Sequence, residues 1–254
     1  MHATRYIREA ATIITQKLNQ MPNDDNGKIY ISFHYGVFEL APVILSIYLK
    51  TTVYVVVDAL TISRQSRLSY YKALIKKDFQ DADIEFILVQ DFISMRKLLK
   101  ILKNKGIVFI YFDENKSINE ENKNFVSLPF IFGFNYLVKT SIPYFLKKTP
   151  TSIYSVITNI QHNNIDFEIR EITNSNAKEY SKIFYEKCLD LLKSGLEQSP
   201  HQWTRWYNVD ELDESSSDSL SKHPADNYLR ITDHNSQRKY VIDINLMKIK
   251  EIHE

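Results

Sequence analysis

The sequence predicts an α/β protein, a mostly parallel central sheet flanked by helices with a small C-terminal β-hairpin extension. Two observations carry the sheet. Short β-rich runs at 28–33, 53–57, 84–89 and 107–112 alternate with segments whose apolar residues recur at helical spacing. That β-α-β-α-β-α-β order is the pattern of parallel strands joined by helical crossovers. Within it, Val53-Tyr54-Val55-Val56-Val57 is unbroken and largely β-branched, as expected of a strand covered on both faces. A third observation predicts the extension: two β-rich runs, 228–232 and 240–244, flank the turn Asp233-His234-Asn235-Ser236.

Taken in order, residues 4–20 place Ile7, Ala10, Ala11, Ile14 and Leu18 on one helical face. The turn-rich stretch 22–27 leads into the alternating strand 28–33. A helix over 38–48 follows, with Pro42 tolerable only in its first turn or so. Further helices are expected at 61–77 and at 92–104, the latter ending near Gly106. Strands near 151–158 and 165–169 and a helix over 177–196 complete the core. Residues 1–209 thus read as one α/β domain, 210–226 as an acidic, Ser-rich linker, and 227–254 as the hairpin extension.

Composition narrows the function. With 32 Lys and Arg against 31 Asp and Glu, the net charge of +1 supplies no field for nucleic acid. The single cysteine, Cys188, lies in a helical-looking run and reads as a core thiol. The apolar runs 38–49 and 125–138 fall short of the roughly 20 residues that span a bilayer, and residues 1–20 lack a signal-peptide core. The expectation is a cytoplasmic protein, or one lying on a membrane surface rather than crossing it. Five glycines, no Gly-x-Ser-x-Gly elbow, no phosphate loop and no dinucleotide fingerprint disfavour nucleotide cofactors, and no His pair has metal-ligand spacing.

Ligands of open α/β sheets bind beyond the carboxyl ends of the strands. There, His34-Tyr35-Gly36-Val37-Phe38-Glu39 ends one strand in a histidine, turns at Gly36, and opens the next helix with a glutamate. A carboxylate that orients the imidazole and stabilises its protonated form is the logic of a general base. A surface histidine and a glutamate at a helix N-terminus account for the same residues.

This block resembles the His-x4-Asp/Glu block of the lysophospholipid acyltransferase superfamily, closest to the late acyltransferases of lipid A biosynthesis. Other landmarks occur in the family's order. Arg64 and Arg67 look like the arginines of its second block. The segment 98–108 followed by Phe112-Asp113-Glu114 is similar to its helix-Gly-strand segment, with Glu114 where glutamine is usual. Val126-Ser127-Leu128-Pro129-Phe130-Ile131-Phe132-Gly133 resembles its Pro-Phe-Phe-Gly block, and Ser199-Pro200-His201-Gln202-Trp203 its terminal Pro-Glu-Gln-Trp segment. The resemblance spans roughly residues 5–210. The family's N-terminal membrane anchor has no counterpart here, Asn135, Tyr136, Ser141 and Ile142 replace the small residues after Phe-Gly, and 211–254 matches nothing in the family.

The resemblance implies an acyltransferase with His34 and Glu39 as the catalytic pair. By the same resemblance it would take an acyl carrier protein or coenzyme A thioester as co-substrate, with no bound cofactor. The acceptor is a hydroxyl or amine of a peptide, small metabolite or lipid, and peripheral membrane contact stays open. Gly36, Arg64 and Arg67 would hold the oxyanion or the donor's phosphate, or the arginines are solvated helix-face residues. Asp113 would organise the site or cap a turn. Phe125, Phe130, Phe132 and Tyr136 would line an acyl groove or belong to the core, and Trp203 and Trp206 are expected in the core. A non-catalytic acyl-chain or acyl-carrier binding module and a thioester hydrolase are the competing readings.

Overall fold

The computed structural model describes residues 25–57, 66–88, 92–113, 125–129, 135–139, 148–161, 164–173, 182–204, 228–232, 239–243 and 248–252. The helix expected over 4–20 and the linker 210–226 lie outside them. The described elements fall into two compact units, one drawn from Met1–Phe112 and Ile142–Tyr180, the other from Asp113–Ser141 and Ser181–Glu254. The second unit therefore draws on both sides of the expected 209/210 boundary.

The first unit is built on a six-stranded sheet of β1 (Gly27–Ser32), β2 (Thr52–Val57), β3 (Asp83–Leu88), β4 (Ile107–Tyr111), β7 (Thr151–Gln161) and β8 (Asn164–Thr173). Its order is β3-β2-β4-β1-β7-β8. Every pairing is parallel except β7 with β8. The predicted α/β class holds, and β1 lies between β4 and β7 inside the sheet.

Among the described residues three helices lie in the connections between the parallel strands: α1 (Leu40–Leu49), α2 (Ser66–Asp78) and α3 (Phe92–Lys103). Pro42 falls in the first turn of α1, where its missing N–H breaks no helical hydrogen bond. Side chains alternate across the sheet. One face carries Tyr30, Val55, Phe109, Tyr154 and Val156 into a core shared with Val43 and Ile44 of α1 and Ile75 of α2. The opposite face receives α3, whose Leu102 backbone approaches Gly27 so closely that a Cβ there would overlap the Leu102 carbonyl oxygen.

Two helices stop without glycine. Lys50 (φ 49°) and Lys105 (φ 60°) adopt the left-handed conformation after α1 and α3. The Lys105 N–H donates to the Leu102 carbonyl at 3.1 Å and the Gly106 N–H to that of Ile101 at 2.9 Å, closing α3 in a Schellman motif. The Lys50 and Thr51 N–H groups both donate to the Ser46 carbonyl beyond α1.

Several boundaries differ from expectation. In β2, Val53, Val55 and Val57 are buried while Thr52, Tyr54 and Val56 are half-buried, so the strand is not equally covered on both faces. A β-branched run reports strand propensity and not the burial of each face. β8 extends well beyond 165–169.

In the second unit, β5 (Phe125–Pro129) and β6 (Asn135–Lys139) pair antiparallel, with Leu128 opposite Tyr136. Helix α4 (Lys182–Gln198) buries Phe184, Tyr185, Cys188, Leu189, Leu192 and Leu196, and a 3-10 turn (Pro200–Gln202) follows. Cys188 is a buried thiol, as the sequence led us to expect. The hairpin of β9 (Tyr228–Thr232) and β10 (Lys239–Asp243) is present and gains a third antiparallel strand, β11 (Lys248–Ile252).

Candidate functional site

Because β1 and β4 run parallel with Ser32 opposite Tyr111, the chain leaves both strands at one edge of the sheet. Beyond β1 the backbone is tied down at several points. The Phe112 N–H donates to the Ser32 carbonyl at 2.8 Å, and the Tyr35 N–H to that of Phe33 at 2.7 Å. The Thr158 hydroxyl of β7 donates to the Tyr35 carbonyl at 2.7 Å in the buried interior. Gly36 then takes φ 62°, a conformation that side-chain-bearing residues rarely adopt, and turns the chain toward α1. The Leu40 N–H donates back to the Val37 carbonyl, so the helix starts four residues past the turn glycine.

His34 is held inside this corner and only 5% exposed. Its ring centroid lies 4.7 Å from that of Phe38 and 4.7 Å from that of Tyr111. Phe38 and Tyr111 meet each other edge-to-face at 5.7 Å, and the Tyr111 hydroxyl donates to the Phe38 carbonyl at 3.3 Å. Three rings in mutual contact leave the imidazole little rotational freedom. Glu39 is the N-cap residue of α1, with helical backbone angles (φ −65°, ψ −23°). Half-buried at the positive end of the helix, it makes no side-chain capping hydrogen bond. Residues 36–39 are all half-buried, whereas 29–35 are buried, so the turn is the less covered part of the corner.

The other expected site residues separate into two groups. Asp113, 2% exposed, accepts a 2.8 Å hydrogen bond from the Trp203 indole Nε1–H. Trp203 is itself buried, and its ring lies 6.5 Å from that of Tyr136, which is also buried. Asp113, Tyr136 and Trp203 thus form one buried cluster of the second unit. Phe125 begins β5 and Arg67 is the second residue of α2, but their side chains, like all of Arg64, Phe130, Phe132 and Trp206, lie outside the described residues. Among the described residues no group of three or more His, Cys, Asp or Glu side chains is placed to hold a metal ion.

Three residues around His34 went unnoticed in the sequence. Tyr111 reaches it through the β1–β4 register, and Thr158 anchors Tyr35 from a strand 123 residues downstream. Ser32, with no exposure, carries a hydroxyl that finds no hydrogen-bond partner among the described residues. A polar residue closing an otherwise apolar strand was the one available signal for it.

Among the described residues no helix is long and apolar enough to cross a membrane. No protein-family model matches the chain, and no curated protein matches it either.

Proposed function

We propose that the chain is an acyltransferase in which His34 is the general base and Glu39 the residue that orients it. The observation that carries this reading is the corner itself. A buried histidine lies two residues beyond an interior strand of a mostly parallel sheet, a glycine at φ 62° turns the chain, and the N-cap carboxylate of the next helix is not used in capping. The resemblance of residues 34–39 to the acyltransferase block, with four further blocks in order, supplies the reaction class.

In the proposed reaction His34 takes the proton of an acceptor hydroxyl or amine. The acceptor attacks the carbonyl carbon of an acyl thioester, the C–S bond breaks, and the departing sulfur receives the proton. Backbone amides near Gly36 and the positive end of α1 favour the developing oxyanion. Acyl carrier protein or coenzyme A is the proposed donor, and the acceptor a peptide, small metabolite or lipid. A cytoplasmic protein, in peripheral contact with a membrane where the acceptor is a lipid, is the setting that fits this chemistry.

The test is single-turnover acyl transfer and donor affinity measured together on wild type, His34→Ala and Glu39→Gln. Removing the base should lower turnover by ~10²–10⁴ while donor affinity barely moves. Glu39→Gln should slow the reaction less. Wild-type turnover in folded His34→Ala would sink the assignment. One observation favours a second reading, a non-catalytic acyl-binding module: His34 is packed between two aromatic rings as a core residue would be. That reading predicts no turnover in any of the three proteins, with defects confined to affinity.

A further inference from the structure

Buried hydroxyls are almost always hydrogen-bonded, because leaving one without a partner forfeits the hydrogen bonds it made to water. Ser32 Oγ and Ser155 Oγ are both fully enclosed and have no hydrogen-bond partner among the described residues. They lie on adjacent strands but on opposite faces of the sheet. Ser32 is in register with Val156, and Ser155 with Ile31, one residue earlier. Paired residues share a face and neighbours along a strand alternate. Ser32 therefore belongs to the face covered by α1, and Ser155 to the face that receives α3.

Their surroundings differ accordingly. On β4 the residue opposite Ser32 is Tyr111, whose ring lies 4.7 Å from that of His34. Ser32 is also two residues before His34 in the chain. Chain spacing, register and ring contact thus set the unpartnered Ser32 hydroxyl at the His34 corner, on the histidine's side of the sheet.

We infer that Ser32 is a further catalytic residue of the His34 site and that its hydroxyl donates a hydrogen bond to the acyl carbonyl oxygen. The inference rests on the acyltransferase reading and extends it. As the acceptor adds to the carbonyl carbon, negative charge collects on that oxygen and the hydrogen bond strengthens. When the C–S bond breaks the charge returns, and Ser32 keeps its proton throughout. The hydroxyl is unsatisfied in the free protein because its partner arrives with the substrate.

Ser32→Ala and Ser155→Ala separate this role from a structural one. Each removes an enclosed, unpartnered hydroxyl, so neither should lower the melting temperature. Thiol release from myristoyl-coenzyme A is followed in the presence of a panel of alcohol and amine acceptors, with His34→Ala as the baseline. Ser32→Ala should reduce kcat by ~10²–10³ with little change in KM for the donor, while Ser155→Ala keeps wild-type kinetics. Wild-type kcat in Ser32→Ala, in an enzyme that His34→Ala inactivates, overturns the role of Ser32 alone. Equal losses in both serine variants overturn it too, since they indicate a general packing effect. Thiol release no faster in wild type than in His34→Ala overturns the acyltransferase reading, and the role of Ser32 with it.

Discussion

Gly27→Ala adds a single methyl group where the structure has no room for one. The new Cβ would overlap the Leu102 carbonyl oxygen and stand 2.9 Å from both the carbonyl carbon and the Cα of that residue. Carbon atoms settle at about 3.5–4.0 Å, so β1 and the end of α3 must part by at least about 0.6 Å. The obstructing atoms are backbone, and no rotamer change relieves them. The turn between α3 and β4 is fixed as well, since the Gly106 N–H donates to the Ile101 carbonyl and the Gly106 carbonyl accepts from the Lys28 N–H at 3.1 Å. Overpacking of this kind costs about 1–3 kcal/mol, and a rigid obstacle puts this case toward the upper end. Against it stands about 0.4–1 kcal/mol from the lower entropy of the unfolded alanine chain, leaving a net loss of about 2 kcal/mol. For a chain of this size that lowers the melting temperature by about 4–8 °C. Calorimetry together with urea denaturation checks the value. A variant as stable as wild type would refute the close approach of α3 to β1.

Three further perturbations follow from described contacts. Trp203→Phe keeps the ring but removes the donor to the buried Asp113 carboxylate, and should cost about 1.5–3 kcal/mol in urea denaturation; no loss would mean the hydrogen bond contributes nothing. Lys50→Gly and Lys105→Gly relax left-handed backbones and should each raise the urea midpoint by an amount worth about 0.5–1 kcal/mol, the exposed Lys105–Asp25 ion pair being a small loss; a fall in stability at both would contradict the Schellman-type ends. Burial pushes the Cys188 thiol well above its ordinary range, with the nearby Asp190 carboxylate adding to the effect, and burial likewise raises the Tyr185 phenol. From about pH 8.5 upward the unfolded thiol ionises while the folded one stays protonated, so stability falls as pH rises, and Cys188→Ala should flatten that fall between pH 8.5 and 10.

What the sequence made legible was local. The strands around 53–57, 84–88 and 107–111 announce themselves because apolar β-branched runs alternate with helical periodicity over a few residues. Phe38 is near His34 in the chain, so one of the two rings against the imidazole lay in the same short motif. Tyr111 and Thr158 did not, because the register of parallel strands is decided by packing across the sheet and no short segment encodes it. The β5–β6 pair was missed for a different reason. Residues 125–136 are aromatic without clear alternation, and Pro129 and Gly133 mask a period of two. The left-handed ends after α1 and α3 carried no signal either, since the usual marker is glycine and lysine occupies both positions.

The hydrogen bond from Thr158 to the carbonyl of Tyr35 has a consequence for biosynthesis. The two residues are 123 positions apart, and β7, which carries Thr158, is also one of the two strands that flank β1. At ribosomal rates of about 5–20 residues per second, β1 waits roughly 6–25 s for that neighbour to be made. During that interval the nascent chain exposes Ile29, Ile31 and Phe33 without their later cover, the kind of apolar stretch that holdase chaperones engage. Truncation anywhere before residue 158 leaves the His34 corner without its buried anchor, so partial translation products should be cleared by proteolysis and not persist as half-formed chains.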